Sequence, residues 1–446
     1  MIDLIVEKPT SDLASESMPR QPAPPVLRAA ISSAVIMVGL VVLFSISGFP
    51  PGLRDILFAL YITAFVMYML LRTGQFAERV NLRLSGPKPT YSQQKLRSAL
   101  QRDRIHPLDE PRFIKGLDAS SQMTPSERVI GITYNGLAKA YPLSYLSIHE
   151  IVNDDIGDTP IAVTWSPVCY APRAFLTGQT SSSQRVVFGN SGKMLLNSSV
   201  YYDRETESLW LQFLGQAISG SRIGENLTQI PACNTTWEAW FNAYPETYVM
   251  EKEESDRQDI FETYYASSRP GIFKQKPRDY SWAAKDIVLG LTVNNESRAY
   301  PLPLLNRELI VQQELWRKPV LIALESPSLT VVAFDRLLDG RVLSFTIEKS
   351  NSETTDLEND LIKRENVSSE ITNEWPNYQA LFIRDRQTNS LWRAISGHCE
   401  AGELVGKQLQ PIPSSLGFWF AWSRFYPMGE VMLPQAATDV NQTLES

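Results

Sequence analysis

The residues of this sequence that could carry chemistry are concentrated in one segment. His149 and Cys169 lie in it, and an imidazole beside a thiol lowers the pKa of the thiol and makes it a nucleophile. Asp154 is a third candidate for catalysis there. Two interpretations stay open: a thiolate–imidazolium pair, or a core histidine with a buried, inert cysteine. The spacing does not show that the two side chains meet, and we favour the second interpretation.

A glycine-rich stretch follows this segment. Gly189, Asn190, Ser191 and Gly192 precede a lysine, which is the order found in a phosphate-binding loop. That motif also requires glycine at position 187 and serine or threonine at position 194, where this chain has valine and methionine. We therefore exclude a phosphate loop and keep these four residues as a candidate binding loop.

The cysteine and histidine content limits the cofactors. Cys169, Cys233 and Cys399 are too few for a disulfide framework or a four-cysteine zinc site, and there are only three histidines. The motif Cys-x-x-Cys-His, which attaches haem covalently, is absent from the sequence. We predict no metal and no cofactor.

Composition indicates a folded protein that does not bind nucleic acid. Of 446 residues, 43% are hydrophobic and 20% are charged, which is typical of a globular chain. The formal net charge of −7 lacks the basic excess of a nucleic-acid-binding protein. This length predicts two or three domains of roughly 150 residues each.

An internal repeat defines the domains. Gly131 recurs as Gly290 at an offset of 159 positions, and Trp210 recurs as Trp392 at an offset of 182. The difference between the offsets indicates an insertion in the second copy, which we assign to the polar residues 346–374. We predict a first copy at 128–250, a connector at 251–285 and a second copy at 286–434.

Each copy has the pattern of short strands and turns. An Asn-Gly pair at position 135 predicts a β-hairpin, and short helices are expected near 146–153 and 237–243. The matched pairs Asp203-Arg204 and Asp385-Arg386 are interpreted as a structural turn with an ion pair, and Trp210 and Trp392 as core residues. The predicted fold is mainly β (α+β), with two pseudo-repeated β-rich lobes.

Two apolar runs precede the lobes, at 29–49 and 56–71. The first is long enough to cross a bilayer core of roughly 30 Å, and the second is short for a span. They predict a transmembrane helical hairpin at 29–71, between a polar tail at 1–28 and a basic juxtamembrane linker and lead-in at 72–127. Residues 435–446 form a tail. The arginines and lysine after the second run favour a cytoplasmic lobe region.

Several ordered motifs resemble a known family. They are the string from Ile105 to Phe113, the segment from His149 to Asp154, Ser166-Pro-Val-Cys169, the Tyr-Asp-Arg-x-Thr-x-Ser-Leu-Trp turn and Trp419-Phe-Ala-Trp422. In this order they resemble the bacterial and archaeal proteins grouped as the domain of unknown function DUF3179, over roughly 105–432. Relatives typically show Cys-Pro-Leu-Cys where this chain has Ser166-Pro-Val-Cys169, so a role that needs two thiols is in doubt here. The resemblance implies an exported or membrane-tethered domain.

Together these features lead to one expectation of function and one alternative. We expect a membrane-anchored, non-catalytic accessory subunit of a larger bacterial membrane complex, of respiratory or photosynthetic type. Its partners would be the lipid bilayer and other membrane subunits, with the lobes on the extracytoplasmic side of the inner membrane. The alternative is an enzyme or metal-binding protein that uses His149 and Cys169 in the first lobe.

Overall fold

The two copies of the repeat fold into two β-rich lobes of matching topology. The computed structural model describes residues 96–178, 185–252, 259–274, 276–278, 280–294, 296–348 and 378–433. The predicted tails and the residues from 349 to 374 of the predicted insertion lie outside these ranges.

The first lobe is built from three five-stranded sheets. Their orders are β14-β4-β5-β15-β3, β13-β8-β7-β6-β2 and β1-β9-β10-β11-β12. The strands are β1 (Arg97–Ser98), β2 (Leu108–Asp109), β3 (Phe113–Lys115), β4 (Arg128–Tyr134), β5 (Leu137–Pro142), β6 (Ile151–Ile156), β7 (Thr159–Ser166), β8 (Ala171–Leu176), β9 (Phe188–Leu195), β10 (Ser198–Asp203), β11 (Leu209–Leu211), β12 (Gln216–Ser219), β13 (Thr228–Ile230), β14 (Ala232–Thr236) and β15 (Tyr248–Met250). The helices are a 3₁₀ helix (Gly116–Ser121), α1 (Leu143–His149) and α2 (Trp237–Ala243).

The second lobe repeats this plan after the short helix α3 (Glu262–Ala266) of the connector. Its sheets have the orders β27-β16-β17-β28, β18-β19-β20 and β23-β24-β25-β26, and β21-β22 form a separate hairpin. The strands are β16 (Ile287–Val293), β17 (Glu296–Pro301), β18 (Ile310–Leu315), β19 (Lys318–Glu325), β20 (Thr330–Asp335), β21 (Leu337–Leu338), β22 (Arg341–Val342), β23 (Phe345–Ile347), β24 (Phe382–Asp385), β25 (Leu391–Arg393), β26 (His398–Ala401), β27 (Ser414–Phe418) and β28 (Glu430–Val431). The helices are α4 (Leu302–Glu308) and α5 (Trp419–Phe425).

Strand registers show that the lobes are copies of each other. Cys233 pairs with Gly131 across β14 and β4, and Ser415 pairs with Gly290 across β27 and β16. A tryptophan ring lies over each glycine, so that an added Cβ would come within 2.2 Å of Trp240 at Gly131. The repeat predicted from the sequence is therefore a repeat of structure. Strands β1, β2 and β3 extend the first lobe with residues from the predicted lead-in.

The lobes pack on each other reciprocally. Strand β14 of the first lobe contacts β20 of the second, and β27 of the second contacts β8 of the first. A backbone hydrogen bond crosses the contact, from Phe418 N to Cys169 O at 2.9 Å. Tyr170 lies between the lobes, with its ring centroid 5.1 Å from that of Trp165 and 5.2 Å from that of Phe418.

The predicted fold class needs one correction. Helices α1 to α5 are five to seven residues long, about 10 Å at most, and no helix of the described ranges is long and apolar enough to cross a membrane. The apolar runs at 29–49 and 56–71 lie outside those ranges. The fold predicted with a transmembrane hairpin is therefore corrected to a mainly β fold.

The matched turn in each lobe is held by a buried aspartate. Asp203 accepts hydrogen bonds from Thr206 N at 2.6 Å and from Trp210 Nε1 at 2.8 Å. Asp385 accepts the same two bonds from Thr388 N at 2.6 Å and Trp392 Nε1 at 2.9 Å. Burial acts to raise the pKa of Asp385, but the bonds from Trp392 and Thr388 hold it below its ordinary value.

The two aspartates hold equivalent turns, and the arginines beside them make their contacts elsewhere. Arg204 donates to Asp109 at 2.8 Å instead of to Asp203, and the Arg386 backbone N donates to Ser344 O at 2.8 Å. The aspartate accepts from the turn and from the indole, since these donors lie within seven residues of it in the chain.

We predict that Trp210→Ala and Trp392→Ala each lower the free energy of unfolding by about 3–5 kcal/mol. Both side chains are fully buried, so truncation leaves a cavity and an aspartate without its indole donor. Urea denaturation gives the value. Tyr280→Ala serves as the control, because this ring is 72% exposed and its loss should cost less than about 0.5 kcal/mol. A loss below about 1 kcal/mol for either tryptophan would contradict the role of the turn.

Candidate functional site

Cys169 lies in the tight turn between β7 and β8 and is fully buried. Its thiol donates to Asn197 O at 3.1 Å. Burial raises the pKa of Cys169 to about 12, and the nearby Ser166 hydroxyl and Arg173 charge only partly oppose this. The thiol therefore stays protonated at neutral pH, which is the opposite of an activated nucleophile.

His149 has a different environment, at the last turn of α1. Its Nδ1 lies 2.7 Å from His106 O, and its ring stacks on Tyr145 with centroids 6.4 Å apart. The imidazole thus fastens the lead-in segment to α1. The structure gives His149 and Cys169 different neighbours.

Asp154 belongs to a network that both lobes share. Its Oδ2 accepts from Tyr141 OH and from Lys139 Nζ, both at 2.7 Å. Burial, and then the charge of Asp154, raise the pKa of Tyr141 well above its ordinary value. In the second lobe the equivalent Gln313 bonds to Tyr300 OH and accepts from Arg298 Nη1 at 3.2 Å. The geometry assigns Asp154 to the scaffold.

The neighbouring Asn153 shows the same correspondence. Its amide exchanges two hydrogen bonds with the backbone of Phe188, at 2.9 and 3.0 Å. Gln312 exchanges two bonds of 2.7 Å with the backbone of Phe345. Each amide ties the middle sheet of its lobe to the β9 or β23 sheet. A residue type that differs between the copies can therefore still have the same structural task.

The candidate binding loop is part of a strand. Gly189, Asn190, Ser191 and Gly192 all lie in β9, where the pairing with β10 shifts register beside Tyr201. Gly192 has φ +68°, and a Cβ there would lie 2.3 Å from Leu100 O. The glycines allow close packing in the sheet, which explains the pattern without a loop.

Asn190 is hydrogen-bonded to a buried carboxyl group, that of Glu150, which was not among the candidates from the sequence. Glu150 is the residue that ends α1, with φ +59°, and its side chain is only 8% exposed. Its Oε2 accepts from Asn190 Nδ2 at 2.9 Å, and the Ser199 side chain is a second hydrogen-bond partner. Tyr201 OH donates to Glu150 O at 3.4 Å. Burial raises the pKa of Glu150 from 4.5 to about 7, although Ser199 and Asn190 act to lower it.

We call Glu150, Asn190, Ser199, Tyr201 and Cys169 the Glu150 cluster. The second lobe has leucine, leucine, isoleucine and serine at positions 309, 381, 383 and 328, which are related to Glu150, Ser199, Tyr201 and Cys169 by the offsets of 159 and 182. Ile347 corresponds to Asn190 by register, because it pairs with Ile383 as Asn190 pairs with Tyr201. The interior of the first lobe is therefore polar where that of the second is mainly apolar. The signal was in the sequence, because Glu150 is found in one copy only.

The chemistry available to this cluster is narrow. It contains one carboxyl group that changes protonation near neutral pH and one neutral thiol. In the described part of the chain, no group of three or more His, Cys, Asp or Glu residues is arranged to hold a metal ion. The carboxyl can hold or release a proton inside the lobe.

A family model decides the relationship of this chain to known proteins. The model of DUF3179, described as a protein of unknown function, matches residues 102–429. The chain belongs to the DUF3179 family. No curated protein and no solved structure matches it. The resemblance seen in the ordered motifs is confirmed. The Glu150 cluster lies within the residues that the DUF3179 model matches.

We predict that Glu150 makes the stability of the fold depend on pH. Because its folded pKa is raised, the folded state binds the proton more tightly than the unfolded state between about pH 4.5 and 7. The free energy of unfolding should therefore fall as pH rises through this window, by about 3 kcal/mol in all. Glu150→Gln should remove this contribution and be more stable than the wild type at pH 8.

The measurement is urea denaturation from pH 4.5 to 8.5, taken as the difference between variant and wild type. Glu207→Gln is the control, because Glu207 is exposed and pairs with Arg102 at the surface. If wild type and Glu150→Gln keep a constant difference over this range, Glu150 does not carry a raised pKa.

Proposed function

We propose that this chain is a non-catalytic accessory subunit, a two-lobed β scaffold that binds other protein subunits of a larger assembly. The observation that carries this proposal is the conversion of Asp154 into Gln313 with retention of its partners. A carboxylate and an amide differ in charge and in proton affinity, so they cannot perform the same catalytic step. Both still hold the tyrosine and the basic residue, since the carboxylate accepts from both of its partners while the amide donates to the tyrosine hydroxyl and accepts from the arginine. This is what a scaffold requires.

The first-lobe candidates for nucleophilic chemistry support the same proposal. Cys169 is protonated and enclosed, and His149 is occupied in holding the lead-in. A nucleophile needs an adjacent base and access for substrate. The buried Cys169 thiol lacks access for substrate, and the Nδ1 of His149 lies on His106 O.

A binding scaffold also needs a surface, and an apolar patch on the second lobe is suited to this. The patch consists of Leu337, Val342 and Val405, which are 50%, 46% and 62% exposed. Leu337 and Val342 face each other across the β21-β22 hairpin. Two salt bridges hold the hairpin to the turn that carries Val405: Arg341–Glu403 at 3.6 Å and Lys407–Asp339 at 3.0 Å. A rigid apolar patch with a charged rim is typical of protein interfaces.

One observation favours an enzyme as the second candidate function. The Glu150 cluster is confined to the first lobe, and a carboxyl group with a pKa of about 7 is suited to general acid–base catalysis at neutral pH. In this alternative Glu150 would exchange the proton and Cys169 would lie beside it. The alternative requires that substitution of these residues abolishes a function.

We predict that the double variant His149→Ala, Cys169→Ala keeps its native assembly, whereas Leu337→Asp, Val405→Asp loses it. A buried charge at a patch disrupts an interface, while the two candidate catalytic side chains lie away from it. The measurement is the mass of the assembly purified from the native host, by native mass spectrometry.

Ile223→Asp is the matched control, because Ile223 is the first-lobe equivalent of Val405 and is 52% exposed. It should leave the assembly intact. Loss of cellular function in the double variant with an intact assembly would favour the enzyme. An assembly that survives Leu337→Asp, Val405→Asp would exclude this patch as the binding surface.

A further inference from the structure

A cleft opens between the lobes next to a half-buried thiol. Its volume is about 40 Å³, and it is open to solvent on one side. The lining includes Cys233, Trp240, Tyr244, Val332, Ile395 and Pro411. Cys233 belongs to β14 of the first lobe, and Val332 to β20 of the second.

The reciprocal packing of the lobes creates a second position equivalent to this cleft. There the residues that correspond to Val332, Ile395 and Pro411 are Arg173, Phe213 and Gln229. The registers support two of the matches: Arg173 pairs with Thr164 as Val332 pairs with Ala323, and Gln229 pairs with Phe175 as Pro411 pairs with Phe334. Phe213 and Ile395 are related by the offset of 182. All three residues are bulkier than their counterparts.

These three side chains fill the equivalent position. The buried Arg173 guanidinium donates to Leu416 O at 3.0 Å and to Phe213 O at 3.2 Å, and lies 4.4 Å from the Phe213 ring centroid. Phe213 stacks on Phe425 at 4.5 Å. Gln229 Nε2 donates to Ser414 O at 2.7 Å. The interface therefore has a closed half and an open half, and the open half results from three shorter side chains.

The chemistry of the open half favours an uncharged occupant. Valine, isoleucine and proline stand where the closed half has a cation and an amide. The charged groups nearby are already engaged: Arg128 donates to Asn234 O at 3.0 Å and to Ser328 O at 2.5 Å, and Glu325 accepts from Tyr378 OH at 2.7 Å. Burial raises the pKa of Cys233 to about 12, so its thiol is neutral.

We propose that the open half of the interface is a binding site for an uncharged, mainly apolar small molecule. This ligand takes the place between the lobes that Arg173 and Phe213 occupy in the closed half. The cleft accepts a short aliphatic group, since a cavity that binds a benzene ring has roughly 150 Å³. The remainder of the ligand lies in the mouth. The site is separate from the apolar patch and does not depend on the proposed scaffold function.

Cys233 provides the means to test this site. In thiol–disulfide exchange the small deprotonated fraction of Cys233 attacks a symmetric disulfide, one Cys233–S–S–R bond forms, and one R–S⁻ leaves, so the label is read after the exchange has reached equilibrium. The probes are dipropyl disulfide, cystamine and dithiodipropionate, which deliver propyl, cationic and anionic groups. The fraction of labelled protein is measured by intact mass at a fixed excess of 2-mercaptoethanol. We expect the propyl group to be retained at least about fivefold more than either charged group.

The controls separate the cleft from the thiol. Cys233→Ala should lose the label, since Cys169 and Cys399 are fully buried. Tyr280→Cys in the Cys233→Ala background supplies an exposed thiol, which gives the intrinsic preference among the probes. Ile395→Phe introduces the aromatic ring that the closed half has at this position, and it should remove the preference for propyl. The double variant Ile395→Phe, Val332→Arg should do the same.

The melting temperature of each variant shows that it is folded. Ile395→Phe adds only apolar volume and keeps the test valid if Val332→Arg does not fold. Equal retention of the three groups at Cys233 would overturn the proposal. It would also be overturned if the preference matched that of the exposed cysteine or persisted in folded Ile395→Phe.

Discussion

The reciprocal contact between the lobes is the constraint on which the rest of the structure depends. One strand of each lobe packs against a strand of the other, β14 against β20 and β27 against β8. Tyr170 lies where three hydrophobic clusters meet, one in each lobe and one between them. A residue at this contact packs against the hydrophobic residues of both lobes at once. This is why Arg173 is tolerated there, with its guanidinium hydrogen-bonded to carbonyl groups of both lobes.

The repeat also acts as an internal comparison of chemical roles. A contact that both lobes make through different residue types belongs to the fold, as Asp154 and Gln313 illustrate. A group present in one lobe only, such as Glu150, is not required by the fold, since leucine serves at the same position in the other lobe. The left-handed conformation that ends α1 and α4 is common to both residues. The left-handed conformation is therefore a feature of the scaffold, whereas the buried carboxyl is specific to the first lobe.

The two lobes have diverged in opposite ways. The first has a polar interior, whose carboxyl is hydrogen-bonded by Asn190 and Ser199. The second has an apolar interior and shorter side chains at the contact, where the cleft beside Cys233 lies. Buried polar groups persist only when they are hydrogen-bonded, and cavities cost stability. Both departures from the common plan are thus features that folding alone does not require.

The sequence by itself determined the repeat, its two offsets, the mainly β character and the family, because matched residues and turn signals are local and survive in order along the chain. It also determined the turn around Asp203 and Asp385, whose partners lie within seven residues. Tertiary structure decided the rest. The strand nature of residues 189–192, the separation of His149 from Cys169, the partner of Arg204 and the cleft at Cys233 all depend on residues distant in sequence. Which of these meet is set by how the sheets and lobes pack, and no local pattern records that packing.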